Sequence, residues 1–587
     1  MKLKDSFKRS GIAHDKVRSP EETIKWALDR FASLGRPVLD EVKRIDKGRL
    51  GIPVFLSKYS VQASMITGTK KQMGKGASEA QAKASAIMEI AERYSLFRFR
   101  ERDEFHVAPL SDVRGQRFGV KDLLKAVHLD KEPDQEELDF LNSFLHQWVD
   151  GYDATKKVVT KAPFSWMWPI FEYNGSAAGN SLEEAAVQAI CEVVERHVCS
   201  LISYKRLLTP TIDLDSINDR DLKELVEKFK NKGIHLVLKD FSLGLGIPTV
   251  GAVAWDPSTY PDRSEIVYTA GTSTSPVRAA IRAITEVAQL AGDFDTDGKY
   301  LESGLPKFKT LDEADYVLDS RDTIDLNELP NCSSDNFKTE VTFLASALKR
   351  HAGLNVYLAD ITDKELQIPA VYAMIPGSHF RDRTLNIDLP FHMARIVATG
   401  GFIYPVEALN ILERMDMLYP QRFDVAFYMG YTMEALGDLE GAVEKYEQAL
   451  DRSPPSSELA SLYCNIGNCY RQLGQLDRAV LYLEKAREHD PGLKEVHNIL
   501  GTCLYQMGRY TDAIECFEKA ISIDPGSAID YANIGSNLRK LGIIPAAIKW
   551  YEMALELDPS LDWARQHLDS LRFNDNFDNS IDCEKNE

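Results

Sequence analysis

Several absences narrow the reading of this 587-residue chain. No stretch approaches the roughly 18 consecutive apolar residues of a membrane span, so no transmembrane segment is expected. The basic opening MKLKDSFKRSG is followed by no apolar core, so it does not read as a signal peptide. The eight cysteines include no C-x-x-C pair, which fits reduced thiols in a cytoplasm. Positive charge is in deficit: 70 Lys and Arg against 89 Asp and Glu give a net charge of −19. That argues against a nucleic-acid backbone as main partner but allows a basic pocket for a small polyanion. There is no P-loop either. Between Gly68 and Gly74 stand five residues, and glycine follows Lys75; a Walker motif needs four, and then Ser or Thr on the metal. No Ser-His-Asp or Cys-His constellation stands out. Cys191, His197 and Cys199 share one helix, but spacings of six and two point them apart, so they read as structural rather than as a zinc site.

What the chain does have is one helical pattern three times over. The segments QAKASAIMEIAERY, EEAAVQAICEVVERH and SPVRAAIRAITEVAQL centre on Glu89, Glu192 and Glu286. Seven residues before each glutamate is alanine (Ala82, Ala185, Ala279), and three before is alanine again (Ala86, Ala189, Ala283). Four before come Ser85, Gln188 and Arg282; three after come Glu92, Glu195 and Gln289. Offsets of three, four and seven share one helix face, so each helix carries a small-residue stripe with carboxylates beside it. Buried carboxylates need a partner, a metal or a proton. Three such helices brought together point to Mg²⁺ with a phosphate-bearing ligand, since hard cations take oxygen donors. The competing reading is three amphipathic helices whose glutamates are solvated or paired with Arg93 and Arg196.

Around these helices, residues 1 to about 415 alternate helical patterns with β-rich runs such as HLVLKDFSLGLGIPTVGAVAW, EIVYTAGTS, LNVYLADIT and IPAVYAMIPG, which suggests an α/β or α+β domain. The charged stretch 130–165 is less regular and reads as an insertion or a connection. From about residue 423 a different regime begins. Gly430, Gly467, Gly501 and Gly535 recur at intervals of 37, 34 and 34 residues. Alanine follows at +12, a bulky residue at +16 (Tyr446, Leu483, Phe517, Tyr551), alanine at +19 and proline at +24. This is the tetratricopeptide pattern of paired antiparallel helices. Four units and a capping helix over 560–571 suffice for a continuous core. The groove of such a solenoid suits a peptide or protein partner; an internal brace or a contact between copies is the alternative.

The first domain resembles a known family over roughly residues 50 to 380. Its signatures here are Gly74-Lys75-Gly76, Ser78, Ser85, Glu89, Glu92 and Arg93; then Asn174-Gly175, Gly179-Asn180, Glu184, Gln188, Glu192, Glu195 and Arg196; then Arg282, Glu286 and Gln289; and IPAVYAMIPG as a closing strand. They are similar to those of the YcaO family, ATP-dependent enzymes that activate backbone amides of peptides. The resemblance implies an α+β YcaO-like catalytic domain followed by an all-α tetratricopeptide solenoid. It divides the chain into an N-terminal segment (1–50), an ATP-binding domain (51–415), the repeats (423–573) and an acidic, disordered tail (574–587).

Carried over residue by residue, the resemblance implies that Glu89, Glu92, Glu192 and Glu286 ligate Mg²⁺. Gln188 and Glu195 would complete or orient that shell. Lys75, Ser85, Arg93 and Arg282 would contact the phosphates or nucleotide of ATP, and Arg196 belongs to the same cofactor-binding set. The implied substrate is a peptide or protein amide, and no protein nucleophile is required. The chain ends in CEKNE rather than the proline-rich tail of many azoline-forming members. Azoline formation, thioamide formation with a separate partner, and an accessory role to a ribosomal-protein methylthiotransferase therefore stay open, as does a non-catalytic ATP-binding adaptor. The family's tendency to dimerise makes a homodimer an expectation of the resemblance alone.

Overall fold

Three edge strands set the frame of the first part of the chain. In the computed structural model, Lys71–Lys75 closes a three-stranded antiparallel sheet with Val54–Tyr59 and Leu39–Arg44. Ser176–Ala178 closes a six-stranded sheet, in which it pairs with Ala370–Met374, followed by Tyr357–Asp360, Leu145–Asp153 and His106–Pro109, with Val158–Pro163 also paired to Leu145–Asp153. Val267–Thr272 closes a five-stranded sheet beside Thr249–Trp255, His235–Asp240, Thr211–Ile212 and Thr323–Ile324. After a three-residue turn, each edge strand enters a glutamate helix: Glu79–Arg100, Leu182–Lys205 and Pro276–Ala291. The N-caps are Ser78, Ser181 and Ser275, each eleven residues before its central glutamate. Ser78 and Ser181 accept from the backbone N–H of Gln81 and Glu184, the usual way an orphan donor of the first turn is satisfied.

Glycine explains how strand and helix come so close. A Cβ on Gly74 would stand 2.0 Å from the Ala86 nitrogen and 2.5 Å from the Ala82 carbonyl oxygen. On Gly179 it would stand 2.6 Å from the Ala185 nitrogen, and on Gly271 2.5 Å from both the Ala279 oxygen and the Ala283 nitrogen. Gly74 and Gly271 thus rest on the alanine stripes at −7 and −3 of the first and third helices, whereas Gly179, in the turn after its strand, meets Ala185 at −7 and the N-cap Ser181. Behind them lie ordinary apolar cores. Ala27 and Phe31 pack with Ile87, Ile90 and Tyr94, and Ala279, Ala283 and Val287 pack with Val250, Val267 and Phe229.

The structure describes residues 1–9, 15–102, 105–129, 133–294, 305–319, 321–381, 384 and 387–583, with side chains to 572. These form two compact units, Met1–Leu389 and Pro390–Glu587. Three sequence assignments change. Residues 1–50 are not a separate segment: helix Pro20–Ser33 buries Ala27 and Phe31 in the core of the first unit, and Leu39–Arg44 is a strand of its sheet. Residues 390–415 group with the second unit, because helix Pro405–Leu418 buries Ala408, Leu412 and Met415 and Asp416 Oδ2 accepts from Arg452 Nη2 at 3.1 Å. The stretch 130–165 is no insertion. It supplies the hairpin Leu145–Asp153/Val158–Pro163, whose open face carries the pair Lys161–Asp150 at 2.8 Å; such charges hide the alternation of a half-buried strand. Among the described residues no helix is long and apolar enough to cross a membrane.

The second unit repeats one helix pair four times: Phe423–Ala435 with Leu439–Asp451, Ser456–Gln472 with Leu476–His489, Lys494–Gln506 with Tyr510–Ile523, and Ala528–Lys540 with Ile544–Leu557. A Cβ on Gly430, Gly467, Gly501 or Gly535 would come within 2.7–3.1 Å of Tyr446, Leu483, Phe517 or Tyr551 respectively. The bulky residue therefore fills the gap that glycine leaves open. Helix Asp562–Cys583 caps the array with Ala564, Leu568 and Leu571 and extends into the acidic stretch expected to be disordered. Residues 584–587 of that stretch, and all its side chains, lie outside the described residues.

Gly271→Ala should destabilise the first unit by about 1–3 kcal/mol, because the added methyl meets helix backbone rather than a movable side chain. Gly35→Ala, with open space around it, should change little. Chemical denaturation of both variants checks this; an unchanged midpoint for Gly271→Ala would contradict the close approach.

Candidate functional site

The three glutamate helices bring their carboxylates to one charged cluster. On the first, Glu92 is buried and accepts from Ser176 Oγ at 2.6 Å. Arg93 Nη2 reaches Glu89 at 3.1 Å, and Arg93 Nη1 donates to the Tyr173 carbonyl at 2.8 Å. On the second, Glu192 Oε2 accepts from the Gly175 N–H at 3.2 Å. Glu195, also buried, accepts from the Thr272 N–H at 2.9 Å. Arg196 lies 3.9 Å from Glu192 and 3.6 Å from Glu195. On the third, Arg282 Nη1 donates to Gln188 Oε1 at 2.5 Å, and Glu286 pairs with Lys75 from the first edge strand. Ser85 is half-buried one turn before Glu89, its hydroxyl without a partner among the described residues.

Electrostatics show that these groups share one environment. Burial raises the Glu92 carboxyl well above the usual carboxylate range; Arg93 opposes this, and the Glu89 and Glu192 charges add to it. Burial likewise raises Glu192, against Arg196 and Arg93 and with Glu89 and Glu195. Burial pushes Lys75 down to about 7, with Arg282 and Arg196 acting with it and Glu195 and Glu89 against it. Lys75 thus feels charges from all three helices. Both sequence readings hold a part of the outcome: the glutamates do pair with Arg93 and Arg196, and they do so where water is largely excluded.

The donor set fits a hard divalent cation and a polyanion. Among the described residues no three carboxylate, imidazole or thiolate groups form a ready cage for a metal ion. Mg²⁺ does not need one, since it commonly takes one or two carboxylates, keeps waters and shares the phosphates of its ligand. Mutually repelling carboxylates interleaved with Arg93, Arg196, Arg282 and Lys75 offer oxygen ligands and phosphate donors side by side.

Comparison with known proteins accords with this chemistry. Residues 73–379, just over half of the chain, match the family model described as YcaO cyclodehydratase, ATP- and Mg²⁺-binding. The chain belongs to the YcaO family. ATP and Mg²⁺ are the family's cofactors, those that the clustered carboxylates and arginines call for. Residues 422–491 and 495–527 match tetratricopeptide models. An uncharacterized protein of Methanothermobacter thermautotrophicus is 27% identical over 385 residues, 62% of this chain and 95% of that one. An uncharacterized protein in the tfuA 3' region of Rhizobium leguminosarum bv. trifolii is 28% identical over 312 residues, 49% of this chain and 70% of that one. Among solved structures, a heterocyclase in complex with substrate and cofactor has the same fold at 23% identity and a TM-score of 0.53, covering 65% of this chain. This chain spans about half (54%) of that heterocyclase.

Sequence reasoning missed several parts of this cluster. Gly271 stands fifteen residues before Glu286, as Gly74 stands before Glu89, and that interval was the available signal. Ser176 and the Thr272 N–H hold Glu92 and Glu195, roles that depend on sheet partners and leave no mark in local sequence. The N-terminal segment was read only for what it is not. It lies on the start of the second helix: the Lys4 N–H donates to Glu183 at 2.6 Å, Val17 N–H to Glu184 at 2.9 Å, and Thr23 Oγ1 to Asn180 Oδ1 at 3.1 Å. His197 is buried, accepts the His379 N–H on Nδ1 at 3.0 Å and stacks on that ring; Cys191 and Cys199 are free and buried.

Two expectations follow. Glu192→Gln removes one repelling charge, so it should raise the thermal midpoint of the metal-free protein while abolishing the further rise that Mg-ATP gives the native chain. A midpoint insensitive to Mg-ATP in the native protein would contradict the site. Separately, burial holds His197 neutral down to about pH 3, below its usual 6.5, with His379 and His128 acting in the same sense. A depressed histidine stabilises the fold above pH 6.5, and that stability is lost as pH falls toward 3, by about 1.4 kcal/mol per pH unit. Denaturation between pH 7 and pH 4 should show this slope, and His197→Gln should flatten it.

Proposed function

We propose that this protein activates a backbone amide of a peptide or protein by ATP-dependent O-phosphorylation, leading to an azoline- or thioamide-type product, and that its repeats recruit the substrate or a partner. The observation that carries this reading is the cluster of buried and half-buried carboxylates from three helices, interleaved with Lys75, Arg93, Arg196 and Arg282. When bound, Mg-ATP supplies the phosphoryl group that lets the amide oxygen, a poor leaving group, depart as phosphate.

The chain's own residues position and neutralise. Glu89, Glu92, Glu192 and Glu286 are the groups to hold Mg²⁺, and Gln188 and Glu195 fix the helices on which those ligands stand. Glu195 ties the second helix to the third edge strand, and Gln188 ties it to Arg282. Lys75, Arg93 and Arg196, which here neutralise carboxylates, and Arg282, which here donates to Gln188, are the groups to turn toward phosphate oxygens, with Ser85 as a further donor. Charge held in a largely dry site is worth more to a developing phosphate than in water. The attacking group comes from the substrate or from an external sulfide.

The test is Mg-ATP turnover by the full chain in the presence of a peptide pool, with mass spectrometry of the peptides. Slow ADP release that rises with peptide, and peptides that lose one water or exchange one oxygen for sulfur when sulfide is present, are expected. Arg282→Gln should cut the peptide-dependent rate by roughly a hundredfold. ATP bound without turnover under any peptide condition would replace this reading with that of an ATP-binding adaptor.

A further inference from the structure

A row of arginines and aromatic rings leads away from the charged cluster along the first glutamate helix. Phe97 and Arg100 follow Arg93 by four and seven positions in helix Glu79–Arg100, a spacing that keeps all three on one face. Each arginine lies over a ring from the opposite wall. Arg93 is 4.9 Å from the centre of the Tyr173 ring, and Arg100 is 4.0 Å from that of Trp168. Phe97, between the two arginines, has the Arg100 guanidinium 5.6 Å from its own ring centre. Exposure grows outward: the Arg93 side chain is 14% exposed, Tyr173 is 49% exposed, and Arg100 is open to solvent.

Arg100 makes no hydrogen bond or ion pair among the described residues, and Glu101 and Glu172 act on its charge without bonding to it. A guanidinium held over a ring keeps its N–H groups at its edge, a fork that fits a carboxylate. The wall that carries the rings is tied to the cluster. Glu172, between Trp168 and Tyr173, has φ 50° and ψ −121°, a backbone conformation that strains any residue but glycine. Its N–H donates to the Trp168 carbonyl at 2.7 Å, and its carbonyl accepts from Tyr372 Oη at 2.8 Å. The chain then brings the Tyr173 carbonyl to Arg93 at 2.8 Å and the Gly175 N–H to Glu192 at 3.2 Å. The strained turn thus fixes the place of both rings relative to the carboxylates.

We propose that this row is the track of the peptide substrate, on which Arg100 takes the carboxylate side chain of an Asp or Glu about three residues from the amide that reacts. The proposal rests on the reading of the cluster as an amide-activating site, and it names the sequence feature that the site selects. On that reading the reacting amide stands by the phosphate that Arg93 would hold. The seven residues from Arg93 to Arg100 span about 10 Å of helix, and an extended peptide covers that distance in about three residues. Tyr173 and Phe97 flank the residues in between and offer them ring faces. A lysine or arginine in place of the acidic residue would meet Arg100 with like charge.

The test gives the full chain Mg-ATP, sulfide and a pool of random-sequence peptides, and sequences the modified peptides by mass spectrometry. Asp and Glu should be enriched roughly fivefold or more at one position, about two to four residues to one side of the modified amide, with Lys and Arg depleted there. Arg100→Gln should erase that enrichment. For a single acidic peptide taken from the pool, Arg100→Gln should raise KM by a similar factor and keep kcat, whereas a general disturbance of the fold would lower kcat. The sequence bias is read on the native chain, so it stands even if the substitution disturbs folding. Modified peptides without an acidic bias, or with a bias that survives Arg100→Gln, would overturn the track and leave amide activation intact. No modified peptide under any condition would overturn both.

Discussion

Backbone contact between a glycine and an alanine stripe is the constraint on which the first unit depends. Gly74 and Gly271 stand near the ends of edge strands from two different sheets, and each lets a helix settle on its strand at a distance no side chain would permit; at the second helix Ala177 takes the corresponding place on the strand, and Gly179, in the turn that follows, meets the helix start at Ser181 and Ala185. That approach sets the rotation of the helix. With alanines at −7 and −3 against the strand, the residues at 0 and +3 are carried beside it, which is where Glu89, Glu92, Glu192, Glu195 and Glu286 stand. A strand, a three-residue turn and an alanine-striped helix, used three times, thus assemble a charged cluster from parts of the chain about a hundred residues apart.

The cluster is not purely acidic. Arg93 and Arg196 sit one helical turn from Glu89 and Glu192, and Lys75 comes from the edge strand to Glu286. Backbone N–H groups of Gly175 and Thr272 take further carboxylate oxygens. Burial first, and then repulsion among the remaining charges, raises Glu92 and Glu192, which is stored unfavourable energy that a cation relieves. On the proposed reading the cations turn to phosphate and the anions to Mg²⁺, so the bound pair exchanges partners rather than filling an empty hole.

Much of this was readable from the chain alone, because helical periodicity is a local property. The offsets of three, four and seven placed the alanines and glutamates on common faces before any sheet was known, and the recurring glycine, bulky residue and proline identified the helix pairs of the second unit. What escaped the sequence was whatever depends on partners far along the chain. Gly271 looked like the end of a strand, and its role appears only when Ala279 and Ala283 lie upon it. Ser176 acquires its role only beside Glu92, whose carboxylate it holds. The hairpin within 130–165 was hidden by charges on its open face, and the N-terminal segment by its irregular backbone. The domain boundary near residue 390 was missed because helix Pro405–Leu418 carries no repeat signature, although its buried face belongs with the repeats.

The central claim is that all three helices contribute to one Mg-ATP site. Calorimetric titration of Mg-ATP into the full chain, and into Glu89→Gln, Glu192→Gln and Glu286→Gln, tests it most directly. Saturable binding by the native protein, weakened by a substitution on any one of the three helices, is the predicted result. Binding that one of these substitutions leaves untouched, or no binding by the folded native chain, would contradict it.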